Sequence, residues 1–201
     1  MGYLKQKAMQ SKQHMKEFII NLLTENIPEN YRYHNYTHTL YVHATALEIG
    51  KHENCTDEEM ELLSTAAFWH DTGYIKTYKN HEEESCNLAH RYLPEYGYSP
   101  DDIEIVCGII MATKIPQSPM TKLEEILADA DLEYMGTTSF GSTADDLFRE
   151  LQSLNPELTE EKWTQIQISF LQNHHYFTRF CKENKEPVKQ EYLKKLRDGS
   201  S

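Results

Sequence analysis

Helix-start signals recur along this chain, and between them the apolar residues fall at helical rather than alternating spacing. Thr56-Asp57-Glu58-Glu59, Ser99-Pro100-Asp101-Asp102 and Thr121-Lys122-Leu123-Glu124 each set a capping hydroxyl ahead of acids placed at the positive end of a helix. The first predicted helix runs over 5–26, with Phe18, Leu22 and Leu23 on one face, and stops before Pro28. A second begins near Asn35 or Tyr36, carries His38, Val42, Thr45, Ala46 and Ile49, and is ended by Gly50. In the helix opened at Thr56, Leu63, Ala66 and Ala67 share a side with His70. Asn80 or His81 opens a fourth, with Leu88 and Leu93 inward and Pro94 as its stop. The helix from Ser99 carries Ile103, Val106, Ile110 and Met111; the one from Thr121 carries Leu127, Asp131 and Tyr134. Two or three more follow, around 144–154, 159–177 and 187–197. The expected fold class is all-α, a single-domain helical bundle.

At 201 residues the chain is long enough for one domain with a full core, and glycine and proline are scattered singly, with no linker, repeat or low-complexity run. The opening Met1-Gly2-Tyr3-Leu4-Lys5 turns polar at once, which predicts no secretory leader, and no apolar run approaches a membrane span. Cys55, Cys86, Cys107 and Cys181 form no close motif and suit reduced thiols. A soluble, cytoplasmic protein is expected. The final residues, 198–201, read as a frayed end. A formal charge of −12 offers no broad phosphate-binding stripe, so a nucleic-acid polymer is not an expected partner. A small phosphate ester is compatible, because one divalent ion and a few bases invert the field inside a cleft.

The chemistry gathers at His70-Asp71, which ends Ala66-Ala67-Phe68-Trp69-His70-Asp71-Thr72-Gly73-Tyr74. A neutral imidazole beside a carboxylate binds a divalent cation from two directions and leaves it under-coordinated. Upstream, Tyr33-His34-Asn35-Tyr36-Thr37-His38 offers two histidines; downstream, Ala128-Asp129-Ala130-Asp131-Leu132 offers carboxylates. Leu123, Leu127, Asp131 and Tyr134 fall on one helical stripe, whereas Asp129 sits with Lys122, Glu125 and Glu133 on the face expected to be wet. An ionised carboxylate on an apolar stripe needs a compensating cation or donor, which favours Asp131 as the ligand. His70 alone reads as a core histidine held by a backbone carbonyl. Asp71, the upstream pair and the downstream acid reverse that reading.

The order H…HD…D, over roughly 30–135, resembles the HD-domain family of metal-dependent phosphohydrolases. The segment His34-Asn35-xx-His38 resembles the form found in cyclic-nucleotide phosphodiesterases, and the closing Ala130-Asp131 matches the family's last ligand. The resemblance implies a metal held by His38, His70, Asp71 and Asp131, with His34 protonating the departing oxygen and Asp71 able to take a proton from water. A competing reading leaves His34 to anchor a turn or bind phosphate. It further implies an HD-type core over 30–135, covered by an N-terminal helix at 4–26 and C-terminal helices at 144–197, within one domain over 1–201. One tightly bound ion is expected, and Mn, Mg, Co, Zn or Fe all suit the donors.

Phosphate contacts are expected from Lys114 first, then Arg32, Lys76 and Lys79. His81 touches phosphate, binds a loosely held second ion, or caps its helix. Residues 106–114 carry no histidine, which counts against a second site built from several histidines. His43, His52 and His90 read as surface residues. His174-His175-Tyr176-Phe177 reads as part of an aromatic-rich helix used for packing, or as a segment closing the cleft.

The expected activity is hydrolysis of a phosphate ester or anhydride of a nucleotide-like small molecule by metal-activated water. The alternatives are a di-iron oxygenase and a non-catalytic nucleotide-binding sensor. The expected partner is a small phosphorylated substrate, with no nucleic acid and no membrane; a homodimer stays open.

Overall fold

Thr56 and Ser99 close reciprocal capping boxes. Thr56 Oγ1 accepts the Glu59 N–H at 3.2 Å while the Glu59 carboxylate accepts the Thr56 N–H at 2.7 Å. Ser99 Oγ and Asp102 do the same, both at 3.2 Å. Thr121 makes only half a box: its hydroxyl accepts the Glu124 N–H at 3.4 Å, but the Glu124 carboxylate takes the Met120 N–H at 2.6 Å. The computed structural model describes residues 2–199; Met1, Ser200 and Ser201, the last two read as part of a frayed end, lie outside the described residues.

The described residues form ten α-helices and no strand: α1 (Gly2–Asn26), α2 (Tyr36–His52), α3 (Asp57–Trp69), α4 (His81–Tyr92), α5 (Pro100–Met111), α6 (Lys122–Asp131), α7 (Phe140–Leu154), α8 (Glu160–Asn173), α9 (Arg179–Asn184) and α10 (Glu186–Asp198). Short 3₁₀ turns lie at Thr72–Ile75, Leu93–Tyr96 and Glu133–Gly136. The all-α fold class is therefore as the sequence indicates. Among the described residues no helix is long and apolar enough to cross a membrane. All four cysteines are free.

Helices α2, α3, α5 and α6 join their apolar stripes in one core, where Val42, Ala46, Leu63, Ala66, Val106 and Leu127 are all fully buried. From α1, Met15, Ile19 and Leu23 seal one side of it. Truncating a fully buried residue such as Ile19 removes on the order of 2–5 kcal/mol. A second cluster joins Tyr33, Leu132, Tyr134 and Met135 to Phe140, Ala144, Leu171 and Leu193, so residues flanking the motif segments pack on the C-terminal helices.

Three local expectations change. Gly50 does not end α2, which runs on to His52. A Cβ at Gly50 would lie 2.7 Å from Met60 Sδ and 3.1 Å from Leu63 Cδ2, so this glycine serves the close approach of α2 and α3. The helix expected over 159–177 stops at Asn173, and residues 174–177 are not helical. Side chains from distant helices capture this segment: Lys189 Nζ donates to the His174 carbonyl at 2.6 Å, and Asp129 accepts the Phe177 and Thr178 N–H groups, each at 2.8 Å. His43 is half-buried rather than on the surface, with its Nε2 2.8 Å from Ser64 Oγ and its ring 4.1 Å from that of Phe68.

Candidate metal centre

Three helices bring four donors together. His38 comes from the first turn of α2, His70 is the C-cap of α3 with Asp71 just after it, and Asp131 is the last residue of α6. His38 Nε2 lies 3.1 Å from Asp131 Oδ1 and 3.5 Å from Asp71 Oδ2. His70 Nε2 lies 3.2 Å from Asp71 Oδ2 and 3.7 Å from Asp131 Oδ1. Ligating atoms of His38, His70 and Asp71 all fall within 4.8 Å of one another.

The donor set fits a divalent cation. His70 Nδ1 sits 2.8 Å from the Ala67 carbonyl, which can only accept, so the ring proton is there and Nε2 carries the lone pair. That Nε2 and Asp71 Oδ2 are buried and make no hydrogen bond, although they lie side by side. Two orphaned buried acceptors facing each other are unfavourable without a cation between them. Burial alone would raise the Asp71 carboxyl, yet His70, His81 and His38 hold it well below the ordinary carboxylate range. Asp131 is likewise lowered, with His38 and His70 overcoming its burial. Burial opposes charge on His70 too, but without a cation to balance them Asp71 and Asp131 push it well above an ordinary imidazole, so that a proton takes the place on Nε2 that a metal cation would hold. The carboxylates thus draw positive charge into the cluster.

Asp129 corrects one premise of the sequence reading. It is buried rather than wet, its carboxylate accepting the Phe177 and Thr178 N–H groups and the Thr178 hydroxyl at 2.6 Å. Burial pushes this carboxyl upward. Glu133 is buried as well, paired with Lys185 and with the Tyr41 hydroxyl. Both faces of α6 are covered, one by the helical core and one by the chain around residue 178. Periodicity separates the two faces of a helix but does not say which of them meets solvent.

His34 stands beside the cluster between two partners. Its Nδ1 bonds Glu150 of α7, and its Nε2 lies 3.0 Å from the Tyr74 hydroxyl. Glu150 is fully buried, and its other oxygen accepts the Tyr33 and His34 N–H groups at 2.9 and 3.0 Å. Burial works against its ionisation, but the His34 contacts win and lower it. Sequence reasoning missed Glu150. The signal was present: Leu147, Glu150, Leu151 and Leu154 form a stripe like the one that singled out Asp131.

His81 opens α4 with its ring 3.9 Å from that of Tyr74 and its Nε2 3.5 Å from Asp71 Oδ1. Gly73 allows that approach, since a Cβ there would fall 2.0 Å from the His81 carbonyl oxygen. The same turn is tied by Ser85, which accepts the Gly73 N–H at 2.8 Å and donates to the His70 carbonyl at 2.6 Å.

Asp71 and Asp131 of the cluster line one side of a cavity of about 640 Å³. Lys79 and Lys114 line its edge, and Lys114 is held by Glu83 and, at 3.4 Å, by Asn80. Arg32 and Lys76 are not brought to the cavity. Arg32 is exposed on the turn before α2, whose curvature points its neighbour Tyr33 inward, and Lys76 is drawn outward by Glu84. The far wall comes from α7 and α8 and includes Phe140, Leu147, Trp163, Ile166 and Phe170.

A family model described as the HD domain matches residues 35–135, which hold His38, His70, Asp71 and Asp131. No curated protein matches the chain. Among solved structures, the chain is similar to a predicted HD superfamily hydrolase from an uncultured Thermotogales bacterium. The two are 20% identical, 92% of each chain is covered, and the TM-score is 0.58. At that identity the likeness is one of fold, and its coverage takes in the C-terminal helices.

Proposed function

The chain belongs to the HD-domain family of metal-dependent hydrolases, and from that membership we propose that it cleaves the phosphate ester of a small molecule at a divalent ion held by His38, His70, Asp71 and Asp131. The observation that carries this reading is the pair of buried atoms without a hydrogen bond, His70 Nε2 and Asp71 Oδ2, the second belonging to a residue that lines the cavity. A bound ion would supply Lewis acidity and bring the pKa of a water toward neutrality.

The chain's own groups handle protons and charge. With Nδ1 engaged by Glu150, Nε2 of His34, beside the Tyr74 hydroxyl, is the ring nitrogen that would give a proton to the departing oxygen. Asp71 would receive the proton lost by the attacking water. In the overall step the water oxygen bonds phosphorus, the ester P–O bond breaks, and the leaving alkoxide takes the His34 proton. Lys114 and His81 are the cavity groups suited to steady the phosphoryl oxygens. A nucleotide-like molecule is one member of this substrate class.

The test is release of phosphate, or of the ring-opened monoester for cyclic substrates, from a panel of mono-, di-, triphosphate and cyclic esters, using metal-stripped protein with single divalent ions added back. Ion-dependent turnover that disappears in Asp71→Ala is expected. A fully active Asp71→Ala protein, or no turnover with any ion, would overturn the proposal; tight nucleotide binding in the latter case would leave a sensor.

A further inference from the structure

The cavity has two chemically different halves. Next to the metal donors it is polar, with Asp71, Asp131, His34 and His81. On the opposite side, Phe140, Leu147, Trp163, Ile166 and Phe170 face the space, with Gln167 the one amide among the α7 and α8 residues there. Trp163 and Phe170 are only partly covered by protein, and Ile166 keeps 48% of its surface exposed. Apolar side chains of this size left facing a concave space beside a reactive centre mark the seat of an apolar group.

The charge balance limits the other end of the substrate. Among the described residues, Lys79 and Lys114 are the only lysine or arginine side chains lining the cavity, and Lys114 is already paired with Glu83. Asp71, Asp131 and Glu82 line the same space. One divalent ion and two lysines match a single phosphoryl group; a triphosphate would set four negative charges against those acids with little to offset them. Nor does the far wall offer the array of donors and acceptors needed to read a base edge and a ribose.

We propose that this cavity takes a phosphomonoester whose leaving group is a largely apolar alcohol or phenol, seated between α7 and α8 against Trp163. The assignment rests on the phosphohydrolase reading for the polar half only. Recognition of the apolar group by α7 and α8 stands separately.

Two measurements on the full chain test it. In the first, 1-naphthyl phosphate is titrated into metal-stripped protein while tryptophan fluorescence is followed; Trp69 is buried in the core, so Trp163 reports the cavity. A saturable change that is absent in Trp163→Phe is expected. In the second, kcat/KM is compared for 1-naphthyl phosphate, octyl phosphate, glycerol phosphate, and nucleoside mono- and triphosphates, with the best divalent ion present. The apolar monoesters should exceed glycerol phosphate and the triphosphate by about tenfold or more, the scale on which apolar pockets discriminate. Ile166→Asn on α8, and independently Leu147→Asn on α7, should shrink that ratio severalfold, with circular dichroism confirming that each variant is folded. A preference for the triphosphate, or a ratio untouched in both folded variants, would overturn the assignment. Naphthyl phosphate binding with no turnover of any ester would refute the phosphohydrolase reading and uphold the apolar seat.

Discussion

Glu150 grips His34 at two points, accepting its backbone N–H at 3.0 Å and bonding its ring Nδ1, from a position 116 residues further along the chain. A buried carboxylate used this way fixes which ring nitrogen faces the cavity. Glu150 touches no part of the metal cluster, so it is a positioning residue.

Glu150→Gln should leave metal content unchanged and lower kcat by about ten- to a hundredfold, the usual scale for losing a group that orients a reacting imidazole. The loss should be largest for esters of weakly acidic alcohols and small for nitrophenyl phosphate, whose leaving group needs no proton. Equal losses for both ester types would remove His34 from the role of acid.

Divalent ions should stabilise the native protein. At a hundredfold excess over its dissociation constant, an ion bound only by the folded state adds about 2.7 kcal/mol. The melting temperature of metal-stripped protein should therefore rise on adding ion, whereas that of Asp71→Ala should not respond. Thermal melts with and without chelator check this, and an equal rise in the variant would place the ion elsewhere.

The two acids of α6 should separate cleanly. Asp129→Ala leaves the Phe177 and Thr178 N–H groups and the Thr178 hydroxyl without their acceptor, a loss on the order of 2–4 kcal/mol. Its metal content per folded molecule should match the parent. Asp131→Asn should unfold close to the metal-stripped parent and fail to retain the ion. Urea melts paired with metal analysis distinguish the two patterns.

Acid should weaken the fold through two histidines outside the centre. Burial, helped by Lys16, pulls His43 down from 6.5 to about 4. Burial, with Lys189 and His175, pulls His174 down to about 3. Each ring is neutral in the folded chain over a range where the unfolded chain binds a proton, so stability from them is complete above about pH 6.5. It falls as the pH drops toward 4 for His43 and toward 3 for His174. His43→Gln, which keeps a polar partner for Ser64, should flatten the decline between pH 6.5 and 4; urea midpoints across that range that fall in parallel for variant and parent would refute the assignment.

The chain's local chemistry determined its helices and the kinds of atom on offer. The hydroxyls of Thr56 and Ser99, their acidic partners three residues on, and the spacing of Leu63 and Ala66 act within a turn or two, so they are readable without any tertiary contact. The same is true of the histidines and carboxylates as metal-type donors, since ligand chemistry belongs to the side chain itself. Contacts between distant segments were decided only by the tertiary structure. Asp129 and Asp131 both lie on covered faces of α6, and only the packing of residues 177–178 on one face and of α2 and α3 on the other separates structural acid from cluster acid. Glu150 meets the His34 segment more than a hundred residues away in the chain, the apolar wall of α7 and α8 faces the same cavity as Asp71, and Arg32 and Lys76 turn from that cavity despite lying near the motif segments in sequence. A helical stripe records that a face is apolar, not which neighbour will cover it, because that depends on how separate helices pack.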